Sequence, residues 1–218
     1  MASALLEVAD LACRRGGRRV FEPLSFTLGA GELLALTGRN GSGKTTLLRA
    51  LALLLPPVGG VVRWQGETVW QGRWRGDPEA WRGRLGWLGH LDGLKGDLTV
   101  AENLLMAGRL RGERDAEDRL AGALAAFDLG GLAGRPLRTL SAGQRRRTAL
   151  ARVAMSAAPL WLLDEPLNAL DSEARQGFRT VLQAHLAAGG LAIAATHVDL
   201  GVAGRALDLG GPGGGTAP

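Results

Sequence analysis

Gly38-Arg39-Asn40-Gly41-Ser42-Gly43-Lys44-Thr45 fits the pattern G-x-x-x-x-G-K-[ST], and its flanks supply the setting that the pattern requires. Leu33-Leu34-Ala35-Leu36-Thr37 reads as a short buried strand. Thr46-Leu47-Leu48-Arg49-Ala50-Leu51-Ala52-Leu53-Leu54 reads as a helix that ends before Pro56. Glycines at 38, 41 and 43 let the backbone turn tightly and bring its N–H groups against phosphate oxygens, where the helix N-terminus adds its positive end. Arg39, Asn40, Ser42 and Thr46 complete the cradle, Lys44 reaches the β- and γ-phosphates, and Thr45 offers a hydroxyl to Mg²⁺. In a chain with 34 glycines such a turn can arise by chance, but the strand before it and the helix after it argue for a nucleoside triphosphate site.

Downstream, Pro159-Leu160-Trp161-Leu162-Leu163-Asp164-Glu165-Pro166 is an apolar strand that delivers two carboxylates at its C-terminal end, where open α/β sheets place their ligands. Asp164 is suited to the Mg²⁺ shell and Glu165 to polarising an attacking water as a general base. Between the two motifs, Leu140-Ser141-Ala142-Gly143-Gln144 opens a segment, Gln144 to Ala157, with an apolar face at Leu150, Val153 and Ala154. Ser141 is a natural N-cap there. The serine hydroxyl, the Gly143 N–H, Gln144 and a helix N-terminus form a second anion site. The chain already owns a phosphate loop, so a second phosphate reader makes best sense if it serves the nucleotide of a neighbouring copy.

Composition bounds the rest. At 218 residues and 46% hydrophobic the chain can bury one full α/β core. A single cysteine, Cys13, excludes an internal disulfide and suits a reducing compartment. The apolar run Ala4-Leu5-Leu6 is broken at once by Glu7 and Asp10, unlike an export signal, and Ala50 to Leu55 is far below the ~20 residues that a bilayer requires. Work at a membrane would need a span from another chain. The net charge of +5 comes from scattered arginines, which fits a solvated surface, attraction to anionic lipid or attraction to nucleic acid. No aromatic stacking motif of the RNA-binding kind lies among them, and no nucleic-acid partner is expected. Arg145-Arg146-Arg147 reads as a solvated helix face near phosphate, and His185 as a packed or solvated residue. The glycine-rich end, 211–218, is expected to be a flexible tail.

Taken in order, these motifs resemble an ATP-binding cassette ATPase: the phosphate loop at 38–45, the signature Leu140-Ser141-Ala142-Gly143-Gln144, the Leu162-Leu163-Asp164-Glu165 acid strand, Asn168-Ala169-Leu170-Asp171 as the D-loop, and Thr196-His197 after the strand Leu191 to Ala195 as the switch histidine. The resemblance covers about residues 5 to 209. It implies a P-loop NTPase of the α/β class, with a RecA-like sheet core, an antiparallel β-subdomain and an inserted helical subdomain at about 92–155, all in one domain of residues 1–210. It also implies ATP and Mg²⁺ as ligands and a head-to-tail homodimer with two ATP molecules between the phosphate loop of one copy and the signature of the other. Lys44, Glu165 and His197 would be catalytic, with His197 at the γ-phosphate.

Two departures narrow the resemblance. Leu85-Gly86-Trp87-Leu88-Gly89-His90 has histidine where most transport cassettes carry the glutamine that senses Mg²⁺ and γ-phosphate, and Cys13-Arg14-Arg15 lacks the aromatic that usually stacks on adenine. Both features, with Gly89-His90-Leu91-Asp92-Gly93-Leu94-Lys95 leading to Glu102-Asn103-Leu104 and the Leu-Ser-Ala-Gly-Gln-x-Arg-Arg signature at 140–147, resemble the ATPase subunit of the haem exporter of bacterial cytochrome c maturation. That implies an ATP-hydrolysing motor, peripheral to the cytoplasmic face of the inner membrane, working with integral membrane permease subunits of the haem export complex. The motor of a lipid or lipoprotein exporter is the nearest alternative. A soluble cassette acting on ribosomes or DNA would carry tandem cassettes or coiled-coil insertions that do not fit in 218 residues. Trp64, Trp70, Trp74, Trp81 and Trp87 crowd one window; aromatic enrichment fits burial, or a groove for a partner's helix.

Overall fold

The computed structural model describes residues 5–113 and 115–210. In chain order the elements are β1 (Leu6–Ala12), β2 (Arg14–Arg15), β3 (Arg18–Arg19), β4 (Leu24–Leu28), β5 (Leu33–Thr37), α1 (Lys44–Leu51), β6 (Gly59–Trp64), β7 (Glu67–Gln71), α2 (Pro78–Gly83), β8 (Leu85–Leu88), α3 (Val100–Leu110), α4 (Ala116–Ala126), α5 (Ala142–Met155), β9 (Leu160–Asp164), α6 (Ser172–Ala187), β10 (Leu191–Ala195) and β11 (Arg205–Asp208). The expected tail at 211–218 lies outside the described residues.

Two sheets divide the strands. Every residue of β9 and β10 is buried, and their near-continuous apolar sequences, LWLLD and LAIAA, suit strands covered on both faces. They sit at the centre of a parallel sheet in the order β11-β5-β10-β9-β8. In β4 burial alternates instead, as one wet face demands, and it joins an antiparallel sheet in the order β4-β1-β6-β7. Period-two alternation splits the parallel sheet's core. Leu160, Leu162, Leu191 and Ile193 face α1 and the antiparallel sheet, whereas Trp161, Leu163, Ala192 and Ala194 face the side packed by α3 to α6. Cys13 belongs to the first of these layers, and burial pushes its thiol up to about 11.

The strand readings at 33–37 and 191–195 coincide with β5 and β10. Helix α1 differs from its reading: it starts at Lys44, inside the motif, and ends at Leu51. Leu53 takes a left-handed φ of 61°, and the N–H groups of Leu54 and Leu55 both turn back to the Arg49 carbonyl, which closes the helix before Pro56 is reached. Helix α5 likewise starts two residues before Gln144, because Ser141 caps it.

Between β8 and β9 lie α3, α4 and α5. Asn103, 1% exposed, ties α3 to the segment before it: its Oδ1 accepts from Lys95 N at 2.8 Å, and its Nδ2 donates to the carbonyls of Lys95, Leu98 and Thr99. Asn103→Ala takes the partner from Lys95 N–H, while the three carbonyls each keep a backbone donor, and should cost about 2 kcal/mol, seen as a lower urea midpoint at unchanged slope.

His185 is a packed residue. Its ring stacks on Trp161 with centroids 3.9 Å apart and planes 10° apart, and Nε2 donates to the Leu191 carbonyl at 3.1 Å. Burial holds its pKa below the ordinary value, outweighing the hydrogen bond, which favours the charged form. The unfolded chain therefore takes up a proton near pH ~6.5 that the native protein resists, so this contribution is present above that pH and lost below it. Urea unfolding at pH 7.5 and 5.5 should show the stability advantage of wild type over His185→Phe shrinking as the pH falls.

Candidate functional site

Register brings the site together. Ala195, the last residue of β10, pairs with Leu36 of β5 on one side and with Asp164 of β9 on the other. The loops that follow these three strands begin with Gly38, Glu165 and Thr196, so phosphate loop, acid pair and switch histidine emerge side by side at the carboxyl edge of the sheet.

In the phosphate loop, Gly43 is the N-cap of α1 at φ 104°, and it brings no side chain to cap the helix, leaving the first N–H groups to an anion. A Cβ at Gly43 would lie 2.6 Å from Phe21 Cδ1 and 2.7 Å from Val20 Cγ1, so both conformation and space demand glycine. Lys44 is 7% exposed, and its Nζ donates to the carbonyls of Gly38 at 2.7 Å and Arg39 at 3.2 Å. Two of the ammonium's three N–H bonds thus aim it across its own loop. Thr45 Oγ1 donates to Asp164 Oδ1 at 3.1 Å. A hydroxyl and a carboxylate converging in this way form a hard-oxygen pair that fits Mg²⁺, which is commonly held by one or two protein oxygens, water and substrate phosphates.

Glu165 follows at φ 49°, a left-handed backbone unusual for this residue type, with its N–H bonded to the Ala195 carbonyl at 2.9 Å. Its Oε1 lies 3.3 Å from Nε2 of His197, whose side chain is 45% exposed. Asn40 to Thr46, His90, Asp164, Glu165 and His197 line one open cavity of about 670 Å³. Among the described residues no group of three or more His, Cys, Asp and Glu is placed to hold a metal ion by itself.

Ser141 and Gln144 form a reciprocal capping box on α5: Gln144 N donates to Ser141 Oγ at 3.2 Å and Ser141 N donates to Gln144 Oε1 at 3.0 Å. With Gly143, Ala169 and Asp171 they line a separate, smaller concavity that shares no residue with the phosphate-loop cavity. One chain therefore does not bring its own signature segment to its own phosphate loop.

Sequence reading missed Arg18, Arg19 and Arg49 of the cavity wall. Arg15, Arg18 and Arg19, from the hairpin in which Arg14 pairs with Arg19 and Arg15 with Arg18, border the phosphate loop, whereas Arg14 does not. Only the β2-β3 turn at Gly16-Gly17 could have pointed to that arrangement. Arg145-Arg146-Arg147 is not the solvated face expected. Arg146 is 6% exposed, Arg145 donates to the Leu140 carbonyl, and Arg147 donates to the carbonyls of Phe127 and Asp128. This face of α5 lies against strand and helix ends whose free carbonyls attract guanidinium groups.

Of the tryptophan cluster, Trp64, Trp70 and Trp81 are buried, and Trp81 Nε1 donates to the Leu51 carbonyl at the end of α1. Trp87 is half-buried and borders a concavity with Leu104, Gly108, Arg152 and Met155. No helix among the described residues is long and apolar enough to cross a membrane.

The sequence profile of the ABC transporter family matches residues 21–168. The chain belongs to the ABC transporter family. Relatives match this ABC ATPase over nearly its whole length. One, from Cupriavidus metallidurans and named cytochrome c biogenesis ATP-binding export protein CcmA 2, is 45% identical over 209 residues, 96% of this chain and 97% of that protein. A cytochrome c biogenesis ATP-binding export protein CcmA from Paramagnetospirillum magneticum is 46% identical over 94% of this chain and 93% of its own. Among solved structures, the ATP-binding subunit of an ABC transporter superposes with a TM-score of 0.79 at 28% identity, covering 88% of this chain and 80% of that one. A dimeric ATP-binding cassette in a post-hydrolysis state with ADP and phosphate shares the fold, with a TM-score of 0.76 at 22% identity over 88% of each chain.

Lys44 and Glu165 should separate binding from turnover in this ABC ATPase. Lys44→Ala should weaken ATP binding, whereas Glu165→Gln should bind ATP and lose hydrolysis by about 100-fold or more. Equilibrium binding of a fluorescent ATP analogue alongside phosphate release distinguishes the two, and a Glu165→Gln protein turning over at the wild-type rate would remove Glu165 from the mechanism.

Proposed function

We propose that this ABC ATPase is the motor subunit of a haem exporter in cytochrome c biogenesis. The observation that carries the reading is the identity of about 45% across nearly the whole chain to proteins named for cytochrome c biogenesis and export. His90 at the nucleotide cavity, in place of the usual glutamine, supports it.

In this reading the backbone of residues 38–46 and the Lys44 ammonium hold the β- and γ-phosphates of ATP, with Thr45 and Asp164 as protein ligands of Mg²⁺ and His90 at its edge. Bound there, the ion would neutralise phosphate charge. Glu165 Oε1 accepts a proton from the attacking water, and His197, within hydrogen-bond range of that carboxylate, orients the γ-phosphate and the water together. Ser141, Gly143 and Gln144 close the γ-phosphate of a second copy, which is why the signature has its own concavity away from the phosphate loop. The chain sits peripherally at the cytoplasmic face of the inner membrane, and integral membrane permease subunits dock on the half-buried Trp87 concavity beside the His90 loop.

Covalent haem staining of c-type cytochromes in a strain lacking this protein tests the reading. Staining should disappear, return with the wild-type gene, and stay absent with Glu165→Gln. Normal staining in the deletion strain would overturn the haem reading and leave the ATPase.

A further inference from the structure

Arg146 makes four hydrogen bonds from one buried guanidinium, and they point two ways. One terminal nitrogen donates to the carbonyls of Asp164 at 2.7 Å and Glu165 at 2.6 Å. The other donates to the Gly89 carbonyl at 3.1 Å and to Asp92 Oδ1 at 3.0 Å. Nε is buried with no partner. All four terminal N–H groups are thus spent on two segments far apart in sequence, the catalytic turn and the loop that carries His90. Leaving Nε unpaired costs stability, so the arrangement favours geometry over economy of burial.

Both segments need such a fastening. Glu165 holds a left-handed backbone that a glutamate disfavours, and such a conformation persists only where its surroundings over-determine it. The Ala195 carbonyl fixes its N–H, and Arg146 fixes the carbonyls on either side of its Cα, that of Asp164 before it and its own after it. The 87–93 loop hangs from the same helix by its backbone. Six residues further along α5, Arg152 donates to the carbonyls of Gly93 at 2.9 Å and Trp87 at 3.4 Å. His90 and Leu91, at the tip of the loop, remain exposed, Leu91 at 83%.

We infer that Arg146 is a positioning residue that makes the water-activating geometry of Glu165 depend on the placement of the 89–92 loop. A shift of that loop, from the γ-phosphate at His90 or from a docked partner at Leu91, pulls on Asp92 and the Gly89 carbonyl. Through one rigid guanidinium plane it is felt at the Asp164–Glu165 peptide. A lysine offers three donors on a point charge and cannot reproduce four bonds in a planar fork. The inference rests on the role proposed for Glu165.

The test uses the full-length protein, comparing Arg146→Lys, Arg146→Gln, Asp92→Asn and Glu165→Gln by kcat, KM for ATP and equilibrium binding of a fluorescent ATP analogue. Circular dichroism serves as the check on folding. A role in positioning predicts that both Arg146 variants lose about 10- to 100-fold in kcat while nucleotide affinity stays within about threefold, because only transition-state geometry is impaired. Asp92→Asn should lose about threefold or more in kcat, and it should add little when combined with Arg146→Gln, since both act through the same link. Asp92 is partly exposed, so its variant decides the question if Arg146→Gln fails to fold. Folded Arg146 or Asp92 variants that hydrolyse ATP at the wild-type rate, or that lose affinity in proportion to rate, would overturn the inference. A Glu165→Gln protein that still turns over would instead overturn the role of Glu165 on which it rests.

Discussion

The pairing of Ala195 with both Leu36 and Asp164 is the constraint from which the site follows. Three parallel strands end level with one another, so three loops with different chemistry begin at one edge. A shift of one residue in the register of β9 would exchange the faces of Trp161 and Leu162 and carry the acid pair away from Thr45. The apolar pattern of β9 and β10 therefore does more than fill a core: it fixes where the carboxylate meets the hydroxyl. The helices respond to the same edge, with α1 starting inside the phosphate loop and α5 sending arginines back to the carbonyls at the ends of β8 and β9.

Much of this was legible because the sequence carries it locally. The phosphate loop needs glycine at 43 for reasons that a single position reveals, and the strands at 33–37 and 191–195 are short apolar runs closed by polar residues. Ser141 and Gln144 stand three apart, as a capping box requires. The acid pair needed only its strand.

What stayed hidden depends on packing between distant segments. Nothing adjacent to Arg146 announces that carbonyls at positions 89, 164 and 165 will surround it, and a run of three arginines reads most simply as solvated. The same holds for Arg18 and Arg19, which reach the cavity only because a tight hairpin folds beside the phosphate loop. The end of α1 drifted by three residues because the left-handed Leu53, rather than the proline beyond, closed the helix.

Cys13 has a practical consequence. The only sulfhydryl of the chain is sealed in the layer between the two sheets, and burial keeps it protonated at neutral pH, so it is a poor nucleophile. A cysteine introduced on the exposed hairpin, on the loop tip at Leu91 or beside the signature would then be the single reactive thiol in the molecule. Spectroscopic labels and cross-linkers can be placed one at a time on an otherwise native background, without first removing a natural residue from the core.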